Sequence, residues 1–205
     1  KMIENYQNNS REFLLAAKMR FGKNFTLLNT AKDLGFKNIL VLTYKPHVFQ
    51  SLKEDIENHV NFDNWEIGDF KEKRNITPAG EYPKVFMSSA QLAQYRKSKA
   101  DDDETLELEN ASISDMWENL QELKKIEWDM IIADEYHYGT STSNFKEIIK
   151  QLTEKGDPYV IYVSGTAMKD IAMGRFDDSQ IFEWSYLDEQ NQKKLEEDGK
   201  SPSKQ

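Results

Sequence analysis

The chain has 205 residues, of which 38% are hydrophobic and 12% aromatic, enough apolar material to bury one substantial core. It contains no cysteine, which excludes disulfides and thiolate metal sites. Its net charge of −9 disfavours overall attraction to nucleic acid, so any DNA contact must come from local basic patches. No apolar run approaches the roughly 20 residues that span a bilayer, and no signal-peptide pattern opens the chain, so we expect no membrane partner and a cytoplasmic location.

Short apolar runs that predict buried strands alternate along the chain with patterns typical of helices. A helix tail is expected at 2–8, a strand at 13–17, a helix at 24–34 ending at Gly35, and a strand at 38–43. An amphipathic helix follows Pro46, with Val48, Leu52, Ile56 and Val60 at helical spacing. The remaining expectations are strands at 65–70 and 84–87, helices at 90–97 and 114–124, a strand at 130–133, a helix at 145–152, and strands at 159–163 and 181–186. This alternation predicts a three-layer α/β fold, a mostly parallel sheet with helices on both faces.

Two adjacent carboxylates, Asp134 and Glu135, directly follow the apolar run 130–133. Open α/β sheets bind their ligands at the carboxyl ends of strands. One acid in such a place can hold Mg²⁺ on a nucleotide, while the other polarises the attacking water. We therefore predict Asp134 as a metal ligand and Glu135 as a catalytic residue; the alternative is an acidic strand end that opens a polar loop.

The segment after the first strand has the features of a phosphate-binding loop, which needs a strand, a turn, a lysine and a helix N-terminus. Lys23 is predicted to reach the β- and γ-phosphates of ATP as a catalytic residue. Two positions depart from GxxxxGK[ST], because Ala17 replaces the first glycine and Asn24 the hydroxyl residue. The amide oxygen of Asn24 is a weaker ligand for Mg²⁺. The predicted ATP-binding residues are Lys18, Met19, Arg20, Phe21, Gly22, Lys23 and Asn24.

Taken together, these features resemble the first motor domain of a superfamily 2 DExH helicase or translocase. Within that superfamily they look most like the helicase-like part of type I and type III restriction subunits. Residues 17–23 (AKMRFGK) resemble motif I, 134–137 (DEYH) motif II, and 164–166 (SGT) motif III. Residues 41–46 and 85–92 resemble motifs Ia and Ib. The resemblance covers roughly residues 12–187 and implies a RecA-like P-loop NTPase domain with ATP and Mg²⁺ as cofactors.

The resemblance also implies roles that the pattern alone does not. Coupling of the nucleotide site to movement would involve His137, Ser164, Gly165 and Thr166. Contacts with the backbone phosphates of one DNA strand, which carry no sequence information, would come from Thr43, Lys45, Pro46, Ser88 and Ser89. A second motor domain would supply an arginine to the transition state. Methyltransferase or nuclease domains, in the same or a partner chain, are further expected partners.

The domain organisation follows from these assignments. Residues 1–11 are expected to be the tail of an upstream helix, and 12–190 the motor domain, with an exposed acidic loop at 97–112 that contains DDDE. Residues 191–205 would be a charged tail or linker, and the second motor domain is expected to be absent from this chain. We therefore expect one lobe of a motor, with little ATPase activity by itself. The alternative is a degenerate nucleotide-binding or partner-binding module without hydrolysis, which Ala17 and Asn24 favour.

Overall fold

The structure is a computed structural model, and it describes residues 1–17, 21–43, 47–70, 72–89, 120–134, 143–165 and 174–197. Its strands are β1 (Glu12–Ala17), β2 (Asn38–Thr43), β3 (Glu66–Asp69), β4 (Lys84–Ser89), β5 (Met130–Asp134), β6 (Tyr159–Ser164) and β7 (Ile181–Trp184). Its helices are α1 (Met2–Gln7), α2 (Lys23–Asp33), α3 (His47–Asn58), α4 (Ser143–Thr153) and α5 (Tyr186–Glu197), with 3-10 turns at Val60–Phe62 and Asp178–Gln180.

The seven strands form one sheet in the order β3-β4-β2-β5-β6-β1-β7. Every neighbouring pair is parallel. All strands therefore end along the same side of the sheet, which we call the carboxyl edge, and begin along the opposite side, the amino edge. The predicted α/β fold is confirmed, and the described sheet is wholly rather than mostly parallel.

Alternating strand residues build two separate hydrophobic cores, because successive side chains point to opposite faces. On the first face, Leu28 of α2 and Ile56 of α3 pack against residues such as Ile132. On the second face, Ile148 of α4 packs against residues such as Ile131. We call these the α2 face and the α4 face. Helices thus cover both sides of the sheet, which confirms the three-layer prediction.

Helix α2 joins the two edges of the sheet and ends as predicted at a left-handed glycine. Gly35 has φ 71°, a conformation that costs glycine little. The amide of Phe36 donates to Ala31 O at 2.9 Å, and that of Gly35 to Lys32 O at 3.0 Å. These two bonds form the motif that commonly stops a helix at such a glycine.

Several predicted boundaries differ from the structure, and three of the differences concern α3, β7 and α5. Helix α3 ends at Asn58, so Val60 is not on its apolar face but in a 3-10 turn, with 74% of its surface exposed. Strand β7 ends at Trp184 rather than at residue 186. Helix α5 crosses the expected start of the tail at residue 191. The expected helix at 90–97, most of that at 114–124 and the acidic loop at 97–112 lie outside the described residues.

The amino edge is held together by polar contacts. The hydroxyl of Tyr159 lies 3.0 Å from Met2 O and 2.9 Å from Asn5 Oδ1 and donates its one hydrogen between these two acceptors, which fixes α1 beside the start of β6. The carboxylate of Asp129 accepts a hydrogen bond from the backbone amide of Asn38 at 2.8 Å and so joins the starts of β5 and β2. Among the helices described here, none has both the length and the apolar character needed to cross a membrane.

Candidate functional site

The candidate site begins where β1 leads through a loop into α2. Gly22 precedes the helix in a left-handed conformation, with φ 79° and ψ 35°. Its carbonyl oxygen accepts from the amide and from the hydroxyl of Thr26, each at 3.0 Å. Lys23 is the first residue of α2, and residues 18–20 lie outside the described residues. The strand, glycine, lysine and helix N-terminus expected of a phosphate-binding loop are therefore present in the expected order.

An aromatic cluster supports this loop from the side of β7. The ring of Phe21 lies 5.6 Å from that of Phe182 and 5.7 Å from that of Trp184, measured between centroids. Strand β7 pairs with β1 so that Trp184 lies opposite Ala17, the last residue before the loop. Sequence reasoning missed this cluster. The signal was the pair of aromatic residues two apart in β7, since such residues share a face of a strand.

Asp134 ends β5, the central strand, and is partly exposed at the carboxyl edge. It shares its side of the strand with Met130 and Ile132, whose side chains pack on the α2 face. Ala17 at the end of β1 belongs to the same face. The predicted metal ligand therefore lies on the face that carries the predicted phosphate loop, with only β6 between the two strands.

Thr43, at the end of β2, contacts Asp134 directly. Its hydroxyl donates to Asp134 Oδ2 at 2.9 Å, and only 1% of Thr43 is exposed. Ser88 on the next strand is buried as well, at 2%. The predicted contacts of Thr43 and Ser88 with DNA stay predictions. So do those of Lys45 and Pro46, which lie outside the described residues, and of Ser89, whose side chain does too.

Asn24 interacts with a side chain that the sequence did not suggest. Its side chain favours the charged form of the Asp55 carboxylate on α3 and so lowers the pKa of Asp55. Burial has the larger, opposite effect, so that the pKa of Asp55 is raised overall. The side chain of Asn24 thus faces α3 from the first turn of α2. Its role as a metal ligand stays a prediction.

The segment predicted to couple nucleotide to movement begins at the end of β6. Ser164 is wholly buried and lies opposite Ala16 of β1 in the parallel register. It lies on the same side of β6 as Val160 and Tyr162, whose side chains pack on the α4 face. Gly165 follows it and is exposed. The roles of Glu135, His137 and Thr166 stay predictions, because these residues lie outside the described ones.

The residues present fit a magnesium nucleotide. A carboxylate at the carboxyl edge is the hard oxygen ligand that Mg²⁺ prefers. The N-terminus of the 11-residue helix α2, on the same face, suits a phosphate group, because its first amides point outward and its dipole favours negative charge. The described residues hold no group of three or more metal-binding side chains, so nucleotide oxygens and water would complete the coordination of an ion at Asp134.

Three comparisons with known proteins agree with this geometry. The family model of the type III restriction enzyme res subunit matches residues 1–169. A Mycoplasma pneumoniae protein named "Putative type II restriction enzyme and methyltransferase" is 26% identical over an alignment of 220 positions. The alignment covers 90% of this chain and 29% of that protein. The Sulfolobus solfataricus SWI2/SNF2 ATPase core in complex with dsDNA has a similar fold, with a TM-score of 0.54 and 18% identity, over 83% of this chain and 31% of that one.

The similarity to the solved ATPase core identifies the fold as RecA-like. This chain spans less than a third of each of these two proteins. The family model covers most of the chain, from α1 to just beyond β6. The chain therefore belongs to the type III restriction enzyme res subunit family, and it forms a superfamily 2 helicase-like domain.

Proposed function

We propose that this domain is the ATP-binding first lobe of a DNA-dependent ATPase of the helicase or translocase type, within a restriction enzyme that moves along DNA. One observation carries the proposal. Lys23 at the start of α2 and Asp134 at the end of β5 belong to the same face and edge of the sheet. This pairing of a phosphate-binding lysine with a metal-binding carboxylate is what phosphoryl transfer from ATP requires.

The residues divide the chemistry between them. The helix N-terminus at Gly22 and the ammonium group of Lys23 would bind the β- and γ-phosphates. Asp134 would hold Mg²⁺, which neutralises charge on the phosphates, and Glu135 would orient and polarise the attacking water. Lys18, Met19, Arg20 and Phe21 would complete the loop around the phosphates. His137, Ser164, Gly165 and Thr166 would transmit the state of the nucleotide site.

The intact protein would need further parts. An arginine from a second motor domain would stabilise the transition state. DNA backbone contacts would be weak for this lobe by itself; their predicted residues are Thr43, Lys45, Pro46, Ser88 and Ser89. The Mycoplasma pneumoniae relative is named as a restriction enzyme and methyltransferase, which supports the presence of methyltransferase and nuclease domains in the same assembly. This chain covers 29% of that relative. We therefore propose low ATPase activity for this chain alone.

A second candidate function is nucleotide binding without hydrolysis. The interaction of Asn24 with Asp55 favours it, because it engages the side chain at the position where a hydroxyl would bind the metal. In this case nucleotide binding would be independent of magnesium.

Thermal unfolding of the chain with ATP, with and without Mg²⁺, tests both candidates. A ligand at 100 times its Kd stabilises by about 2.7 kcal/mol, which raises the Tm of a domain of this size by roughly 5–10 °C. We expect a rise that depends on Mg²⁺ and is lost in Lys23→Ala. Lys32→Ala, at the other end of the same helix, is the matched control and should keep it. A rise that is equal in EDTA would favour the non-hydrolysing module, and no rise under either condition would overturn nucleotide binding.

A further inference from the structure

We propose that Thr43 is a positioning residue for Asp134: its hydroxyl fixes the carboxylate in the orientation that binds Mg²⁺. This inference rests on the proposed function and departs from the role that the sequence suggested, in which Thr43 contacts DNA. The hydroxyl-to-carboxylate distance of 2.9 Å is that of a good hydrogen bond. A bond to an ionised acceptor is also stronger than one between neutral groups.

The position of Thr43 follows from the register of the sheet. Leu42 of β2 pairs with Ala133 of β5, so the next residues along, Thr43 and Asp134, end the two strands side by side. By the alternation of side chains along a strand, both residues belong to the α2 face. A hydroxyl therefore meets the carboxylate at the point where the sheet opens to ligand. The contact joins residues 91 positions apart in sequence.

The chemistry of threonine suits this role. Its β-branched side chain is stiff about χ1, so a hydroxyl on a strand points in a fixed direction. At 1% exposure, water competes little for the bond. Hydrogen bonds to a metal ligand from its own neighbours orient that ligand, and their loss typically weakens metal affinity by about 10–100-fold. Thr43 is such a neighbour of the predicted ligand.

The test uses three variants of the full chain. Thr43→Val keeps the shape and removes the hydroxyl, whereas Thr43→Ser keeps the hydroxyl and removes the methyl group. Thr30→Val is the control, because Thr30 is another buried threonine, whose hydroxyl donates within α2 to Thr26 O at 2.9 Å. For each protein, the rise in Tm with ATP is measured in EDTA and along a Mg²⁺ titration, and circular dichroism checks the fold.

We expect Thr43→Val to bind ATP in EDTA as the wild type does, and to need at least about tenfold more Mg²⁺ for half of the magnesium-dependent rise. Thr30→Val should follow the wild-type titration, and Thr43→Ser, which keeps the hydroxyl without the β-branch, should lie closer to the wild type than Thr43→Val does. A wild-type titration curve for Thr43→Val would overturn the positioning role and leave the proposed function intact. If ATP does not stabilise even the wild type, the proposed function fails, and this inference fails with it.

Discussion

The side chain of Asn24, in the first turn of α2, interacts with the carboxylate of Asp55 on α3 and lowers its pKa. The family resemblance expects a hydroxyl at this position, where it would complete the shell of a magnesium ion. Here the side chain instead faces the carboxylate of Asp55. A structural role at this position would therefore compete with the proposed metal-binding role.

Replacing Asn24 by threonine should favour metal binding at this position. We expect Asn24→Thr to tighten the apparent Mg²⁺ affinity of the ATP complex about tenfold, the scale on which changes around metal ligands act. The measurement is a Mg²⁺ titration of the thermal shift at fixed ATP. Asp55→Asn is the control, since it changes the partner on α3 and leaves position 24 unchanged. Equal titrations for Asn24→Thr and the wild type would show that position 24 takes no part in metal binding.

The rings of Phe21, Phe182 and Trp184 give a second prediction, because they brace the phosphate loop against β7. Trp184→Ala should lower the free energy of unfolding by about 1–2 kcal/mol, since an aromatic pair contributes roughly 0.5–1.5 kcal/mol beyond its buried area. ATP affinity should fall as well, because the loop loses its lateral support. Trp184→Phe should restore most of both. Denaturant unfolding and nucleotide titration measure the two effects, and unchanged ATP affinity in Trp184→Ala would contradict the bracing role.

Gly68 of β3 carries a third prediction, because a Cβ there would lie 2.6 Å from Phe86 Cδ1 and 2.8 Å from Asn75 O. Gly68→Ala must therefore displace a buried ring or the backbone, at a cost of about 1–3 kcal/mol. Gly80→Ala is the matched control, because a Cβ at Gly80 meets no atom within 4 Å. Urea unfolding should give a lower free energy of unfolding for Gly68→Ala than for Gly80→Ala. Equal stability would mean that β3 can shift away from β4 without loss.

The ion pair of Glu66 with Lys84, 2.9 Å long, predicts a pH dependence of stability at the amino edge. Lys84 is 3% exposed, and its hydrogen bond to Glu66 holds the pKa of that carboxyl below its ordinary value of 4.5. A carboxyl whose pKa is lowered by folding stabilises the protein above its unfolded pKa and loses that contribution as the pH falls.

Glu66→Gln should therefore lower Tm at neutral pH, and the gap to the wild type should close as the pH falls below about 4.5. Lys84 keeps neutral partners in the variant, at 2.9 Å to Asn75 Oδ1 and 3.1 Å to Thr77 O, so the domain should still fold. Melting curves across a pH series provide the measurement. A gap that is constant with pH would show that the charge of Glu66 contributes nothing.

The sequence predicted the buried strands β1, β2, β5 and β6 well because each contains a short apolar run with polar borders. Strand β2 has the predicted bounds, Asn38–Thr43. The partner of Thr43 could not be predicted, since it depends on β2 lying beside β5, and the order of strands is set by contacts remote in sequence. The same holds for Asn24 and Asp55, which lie on different helices.

The two misplaced helix boundaries have local causes. Apolar spacing alone extended α3 to Val60, but the ring of His59 accepts from the amide of Asn61 at 3.2 Å and starts a new turn. Helix α5 is too polar to show an apolar stripe. Its signal was the capping pair of Ser185 and Asp188, in which Asp188 Oδ2 accepts from the amide of Ser185 at 2.7 Å.

The central position of β5 has a consequence for how the site is lost on unfolding. Three strands lie on each side of β5, and Met130, Ile131 and Ala133 are wholly buried. Amides in such a strand exchange with deuterium only when the whole domain opens, whereas a partly exposed first helical turn such as that at Lys23 can fray by itself. Mild denaturant should therefore loosen the turn at Lys23, the proposed phosphate site, while the carboxylate of Asp134 is still held by the sheet. Nucleotide binding would be the first property to disappear and the last to return on refolding.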